Sequence, residues 1–233
     1  VDVHLHHEAP QERRPAAATS TATTDLDFPS GEVMPAKVVD AQTRIRACTL
    51  AEIEKYGIVG MRVANIAKKA EVSVPLIYKL FGDREHLLAT VLSETIEDFY
   101  LKDINNIRAL VEATETDITV DVLLQALPMP SDAFRLRQRK LRTLIFASSY
   151  ESPKLRKAVG KAQQTIQHAT RELIHLVRER SGSKIQVDEE VVAFAVQAMG
   201  FSFSIHDVNP DKPLSDTAYR AFMADFLNRY LLT

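Results

Sequence analysis

The 233-residue chain has one cysteine, no tryptophan and only seven glycines. Cys48 has no partner within the chain, so no internal disulfide braces the fold, and a reducing, cytoplasmic compartment is expected. None of the glycines fall into the G-x-G-x-x-G, G-x-x-x-x-G-K-[ST] or G-x-S-x-G spacings, which excludes the common phosphate-cradling loops and the strand-turn-helix nucleophile elbow. The longest strongly apolar stretch, Val191 to Ile205, is interrupted by Gln197, Ser202 and Ser204. It falls short of the ~18–20 residues that cross a bilayer, so no membrane contact is expected. The N-terminus shows no apolar run between a basic start and a small-residue cleavage site, so no secretory signal is expected either. Charge of one sign is also missing, with 29 Lys and Arg against 31 Asp and Glu.

What is present divides at about residue 36. Residues 1–36 hold four of the ten prolines, a Thr/Ser/Ala-rich run from Ala16 to Thr24 and a net charge of -4. Such a segment buries too little apolar surface to offset its ordering entropy and is expected to be a disordered extension. Met34, just ahead of the first periodic segment, suggests an alternative start that would make residues 1–33 an upstream addition. His4, His6 and His7 read as a solvated tail rather than a metal site, since nothing nearby would orient them. No cofactor or metal is expected anywhere in the chain.

From Val38 onward apolar residues recur three and four apart, with no sustained alternation of the kind a half-buried strand shows. The expectation is an all-α fold of about nine helices, near 38–56, 63–70, 74–80, 84–109, 119–127, 132–150, 153–181, 188–206 and 214–231. Its breaks fall at Gly57 and Gly60, Pro128 and Pro130, Ser152-Pro153, Ser181-Gly182-Ser183 and Asn209-Pro210.

Residues 63–80 carry the most informative pattern. A short helix from Val63 to Ala70 is followed by Glu71-Val72, then Ser73, then a second short helix from Val74 to Leu80, which reads as a helix-turn-helix. Ala67 and Ala70 permit close helix contact, Val72 fills the turn, and Ser73 can cap the second helix. Pro75 sits in the first turn, where its missing N–H breaks no helical bond. Ile66, Ile77 and Phe81 form the expected seam. Ser73, Val74, Pro75, Leu76, Tyr78 and Lys79 are left at the leading end and outer face as the candidate DNA-reading residues. Residues 37–90 carry nine Lys or Arg and six Asp or Glu, so positive charge collects where a phosphate backbone would lie. Arg62, Lys68, Lys79 and Arg84 are the candidate phosphate contacts.

Residues Arg44 to Leu88, with Ile45, Leu50, Ile53, Gly57, Val63, Ile66-Ala67, Ala70, Val72-Ser73, Ile77-Tyr78, Phe81, Arg84-Glu85 and Leu87-Leu88, resemble the DNA-binding head of TetR-family transcriptional regulators. The resemblance implies a homodimer of all-helical subunits. Each would have a three-helix head and a larger body that binds a small molecule, changes the spacing of the heads and releases a palindromic operator. The expected division is a head at 37–83 and a ligand-binding, dimer-forming body at 84–233. The chain departs from the family pattern in places. Met61-Arg62 stands where a Thr pair usually caps the second helix, Glu71 where glycine is common in the turn, Pro75-Leu76 where Gly-Thr is usual, and Leu80 where His or Tyr is frequent. These changes make the reading face more apolar and the operator sequence unpredictable.

In the body, Phe99, Phe146 and Tyr150 are the expected ligand contacts. The basic run Arg135, Arg137, Arg139, Lys140 and Arg142 reads chiefly as a solvated face, with anchoring of an acidic ligand as the alternative. Residues 188–206 are apolar almost all round, so that helix needs cover on two sides. Val196, Met199, Gly200, Phe203, Phe222 and Phe226 are the expected dimer contacts, and the resemblance implies a four-helix interface from the last two helices. Two other function classes stay open. One is a helical ligand-binding or interaction dimer whose head no longer reads DNA. The other is a metal-dependent bundle enzyme using His168, Glu172 and His175, which lacks the second Glu-x-x-His such a site requires.

Overall fold

The computed structural model describes residues 36–209, 211 and 214–232. Among them are nine α-helices and no strand. They run in the order α1 (Ala36–Gly60), α2 (Val63–Lys69), α3 (Val74–Phe81), α4 (Arg84–Ala113), α5 (Val120–Ala126), α6 (Leu136–Ser149), α7 (Pro153–Ser181), α8 (Glu189–Asp207) and α9 (Asp216–Leu227). A 3-10 turn at Ala133–Arg135 leads into α6, and a π-type turn at Asn228–Leu232 follows α9. The first helix already includes Ala36. Of the extension expected at 1–36, residues 1–35, with His4, His6, His7 and Met34, lie outside the described residues.

Capping chemistry sets most of the boundaries. Ser152 accepts a hydrogen bond from the Leu155 amide with Pro153 in the first turn of α7, and Gly182 closes that helix in the left-handed conformation at φ 66°. Asp83 accepts from the His86 amide at 2.7 Å, and Ser215 from Ala218. The expected break at Gly57 is present, since that residue takes φ 71° and ψ 171°, which is not helical, and separates the long part of α1 from a short last turn ending at Gly60. Two other boundaries shift for local reasons. The sixth begins at Leu136 rather than 132 because the Asp132 side chain accepts from the Met129 amide and turns the chain. The ninth starts two residues late, at the Ser215 cap.

Helices α4 and α7 pack along most of their length and form the spine. One apolar cluster joins α1–α3 to the first half of α4, α6 and the start of α7, with Ile45, Ile53, Ile66, Ile77, Leu87, Leu92 and Ile145 fully buried. A second, around Val111, Ile166, Ile174, Ala193 and Met223, fills the far half.

Candidate functional site

The helix-turn-helix forms from α2 and α3. Ile66 and Ile77 are fully buried between them and Phe81 nearly so, as the apolar seam requires. In the turn, Glu71 takes φ 56°, the one non-glycine residue with positive φ among those described. The Val72 amide then donates to the Ala67 carbonyl at 3.0 Å. Ser73 caps α3 by accepting from the Leu76 amide at 3.3 Å. Two polar ties hold this unit on α1. Arg44 Nε donates to the Ala70 carbonyl at 3.0 Å. Glu52, with no solvent exposure, accepts from Lys69 Nζ and Asn65 Nδ2, each at 2.6 Å. The Lys69 bond, followed by that of Asn65, holds the Glu52 carboxyl below its ordinary value.

The outer face of α3 exposes Ser73, Pro75, Tyr78 and Lys79, with Val74 and Leu76 half-buried at its edge. Arg62 and Lys68 on α2 are exposed nearby. Arg62 stands at the N-cap of α2 and makes no side-chain cap bond, so the amides there are left free of the usual hydroxyl. Arg84 differs from the expectation of a free phosphate contact, because its Nη2 donates to the Ile58 carbonyl at 2.6 Å. That carbonyl is in the last turn of α1, where helical carbonyls lack partners. Arg84 therefore ties α4 to α1.

Two ion pairs cross from the body to this end. Lys154 of α7 donates to Asp83 at 2.7 Å and lies 3.3 Å from Glu85. With the His86 amide it holds the Asp83 carboxyl well below the usual carboxylate range. Arg137 of α6 binds both carboxylate oxygens of Glu54 on α1, at 2.6 and 2.9 Å.

The body contains a largely apolar cavity of about 160 Å³ among α4, α6, α7, α8 and α9. Phe99 lines it as expected, whereas Phe146 does not and packs edge-on against Phe201 at 5.4 Å. Tyr150 is displaced altogether, ending α6 with 78% of its surface exposed. The basic run is not one solvated face. Arg135, Arg139 and Arg142 fall at i, i+4 and i+7 of one helical face and turn toward the cavity, while Arg137 points outward. Arg139 is 7% exposed and holds Asp207 bidentately at 2.7 Å on both arms. Arg135 holds Asp103 in the same way, at 2.5 and 3.0 Å.

Helix α8 also separates its two apolar faces. Val196, Met199, Gly200 and Phe203, expected at a subunit interface, line the cavity inside the protomer. A helix apolar all round gives no periodic signal for which side turns inward. Its outward stripe is Val191, Phe194, Ala198, Phe201, Ile205 and Val208, alternately three and four apart. Phe222 and Phe226 on α9 and Tyr230 in the turn after it form a row of ring contacts, with Phe222 54% exposed. His168, Glu172 and His175 are exposed on α7, where Arg171 donates to Glu172 and lowers its carboxyl. Among the described residues no three His, Cys, Asp or Glu side chains are grouped to hold a metal, and no helix is long and apolar enough to cross a membrane.

Residues 45–91 match the family model for bacterial regulatory proteins of the tetR family. No curated protein matches the chain at the sequence level. Among solved structures, a TetR-family transcriptional regulator from Mesorhizobium loti is similar with a TM-score of 0.66 and 21% identity, over 85% of this chain and all of its own. A transcriptional regulator from Saccharomonospora viridis in complex with choline is similar at 0.60 and 16%, over 84% of this chain and 99% of its own. FadR from Bacillus subtilis in complex with stearoyl-CoA is similar at 0.54 and 17%, over 79% and 96%. Residues 45–91 thus match the head of the tetR family of bacterial regulatory proteins, and the chain shares its all-helical fold with these solved structures.

Proposed function

We propose that the protein is a homodimeric, sequence-specific repressor whose operator binding is modulated by a small apolar or amphipathic molecule in the body cavity. The observation that carries this reading is the joining of an exposed reading face to an internal cavity by continuous elements. Helix α4 follows directly on the head at Arg84 and reaches the cavity at Phe99 and Ile104. Helix α6 and the 3-10 turn ahead of it line the cavity with three arginines, and α6 grips α1 through Arg137 and Glu54. The head is residues 37–83 and the body residues 84–233. Tyr78 and Lys79 are offered to base edges and phosphates, Pro75 and Leu76 to thymine methyl groups, and Arg62 and Lys68 to the backbone. The outward stripes of α8 and α9 supply the dimer contact, an apolar surface of a kind monomers rarely leave open. Paired heads then read two half-sites about one helical turn, or a multiple of it, apart.

A molecule in the cavity displaces α4 or α6 and with them the head. It shifts operator affinity only by the difference in its own affinity for the two head spacings, typically ~1–3 kcal/mol. That relatives of this fold are seen with choline and stearoyl-CoA supports an organic effector in the body. The activity is binding rather than catalysis. The test is selection of bound sequences from random duplex DNA, followed by titration against scrambled DNA at several salt concentrations. Enrichment of a palindrome bound far more tightly than scrambled DNA is the expected result, and salt-sensitive binding without an enriched motif would overturn it.

A further inference from the structure

We propose that the body cavity is a site for a small organic anion, a carboxylate carried on an apolar group about the size of one aromatic ring, with Arg142 as its anchor. This rests on the reading above that the body holds an effector, and gives that effector a charge and a size.

The charge follows from how the three cavity arginines are answered. Arg135 is neutralised by Asp103, with Asp132 3.5 Å away, and Arg139 by Asp207. Arg142 is answered by neutral groups. Its Nη1 donates to Tyr100 Oη at 3.2 Å and its Nη2 to the Gly200 carbonyl at 2.7 Å. Its guanidinium lies 5.1 Å from the Phe201 ring and 5.8 Å from that of Tyr100. Among the described residues no carboxylate pairs with it, and its Nε is buried without a hydrogen-bond partner. Ring faces and a carbonyl stabilise a cation only in part, and a half-buried guanidinium with a spare donor is left with both charge and hydrogen-bonding capacity unmet. A carboxylate satisfies both, since it is the planar acceptor that a guanidinium fork fits. Asp103, the one carboxylate among the lining residues, is held by Arg135, and the Tyr219 phenol, pushed up to about 12 by burial, adds no negative charge at neutral pH.

The size follows from the space. A cavity of about 160 Å³ is close to the roughly 150 Å³ of a dry protein cavity that takes up benzene. The lining of the cavity as a whole is predominantly apolar, with Phe99, Ile104, Leu173, Met199 and Met223 contributing to it, so the remainder of the ligand is apolar too.

The experiment titrates the full-length protein, without DNA, by calorimetry with three molecules of one shape and different charge: phenylacetate, phenylacetamide and phenethylammonium. Hexanoate serves as a second carboxylate. Expected are binding of at least one carboxylate, phenylacetamide about tenfold or more weaker than phenylacetate, and no heat with the cation. Arg142→Met should weaken the carboxylate by about 30-fold or more, and Arg137→Met on the outer side of α6 should leave it unchanged. Equal binding of acid and amide, or binding of neither carboxylate, overturns the proposal from the wild-type protein alone, so the result does not depend on whether Arg142→Met folds. An enriched operator without carboxylate binding would defeat this inference and leave the regulator reading standing. Carboxylate binding without an operator would do the reverse.

Discussion

Head and body bury charge in opposite ways. In the head a single carboxylate, Glu52, is drawn fully inside and answered by Lys69 and Asn65, among residues such as Ile45, Ile53, Ile66 and Ile77 that have essentially no exposure. In the body the charges drawn inward are one buried guanidinium, Arg139, and two half-buried ones, Arg135 and Arg142, set around open space, and Arg142 has no carboxylate. The first arrangement fixes one geometry, because each oxygen of the Glu52 carboxylate already has its partner at 2.6 Å. The second leaves a packing defect and an unmet charge that an incoming molecule can fill, and a region of that kind changes its balance of states on binding.

The sharpest way to break this contrast is to remove one partner of a buried pair in the body. Asp207→Ala leaves Arg139, 7% exposed, without its carboxylate and should cost about 3–5 kcal/mol of stability. Glu54→Ala strips the more exposed Arg137 of its partner and should cost at most about 1 kcal/mol, while loosening the α6–α1 contact. Urea unfolding at one fixed protein concentration measures both. Equal costs would mean that the cavity arginines are solvated after all.

In the head the contrast concerns which cations are spent internally. Lys79→Ala should lose about 1–3 kcal/mol of operator affinity and alter sequence preference, and Lys68→Ala should weaken all sequences alike and flatten the salt slope by about one. Arg84→Ala should act on stability instead, by about 1–2 kcal/mol through the Ile58 carbonyl, with the salt slope unchanged. A reduced slope for Arg84→Ala would return that residue to the phosphate contacts.

The two regions should also separate on the pH axis. Glu52 and Asp83 are held below their ordinary values of 4.5 and 3.8 by Lys69 and Lys154, so the unfolded chain takes up protons first as acid is added. The stability they lend is present above those values and disappears as pH falls through the lower folded ones. Tyr219 has the opposite sign. Its phenol, raised by burial from 10.0 to about 12, is ionised first in the unfolded chain, so its contribution holds below pH 10 and is lost between 10 and about 12. Allowing for its partial exposure, this is on the order of 1 kcal/mol. Tyr219→Phe should remove the alkaline loss in unfolding experiments and Glu52→Gln should flatten the acid limb, each without touching the other side.

What could be read in the sequence follows the same division. The helices were legible because their ends carry chemistry of short range: Ser73, Ser152 and Gly182 cap or terminate where they stand. The helix-turn-helix was legible because its seam of Ile66, Ile77 and Phe81 lies within sixteen residues of chain. The cavity was not, since its ion pairs join Arg135 to Asp103 and Arg139 to Asp207 across distant stretches, and a run of five cations on one helix looks like a solvated face. The spacing 135, 139, 142 held a usable signal, as it sets those three on one side and Arg137 on another. Helix α8 gave no such signal. Its inner residues, Val196 and Phe203, and its outer ones, Phe194 and Ile205, are equally apolar, and only the packing of α7 and α9 distinguishes them.

The smallest effect tests the one place where the otherwise settled head holds strain. Glu71 occupies the turn at φ 56°, where a side chain crowds the following carbonyl at a cost of about 1–2 kcal/mol that glycine avoids. Glycine gives back part of that gain, because it loses about 0.5–1 kcal/mol more conformational freedom on folding. Glu71→Gly should therefore raise stability by only about 0.5 kcal/mol, seen as a higher urea midpoint at constant slope. Glu71 is exposed and belongs to neither the seam nor the outer face of α3, so operator affinity should not fall. A rise through loss of an acidic group near the phosphates would show as a steeper salt dependence, and Glu71→Gln separates the two causes by removing the charge while keeping the strained backbone.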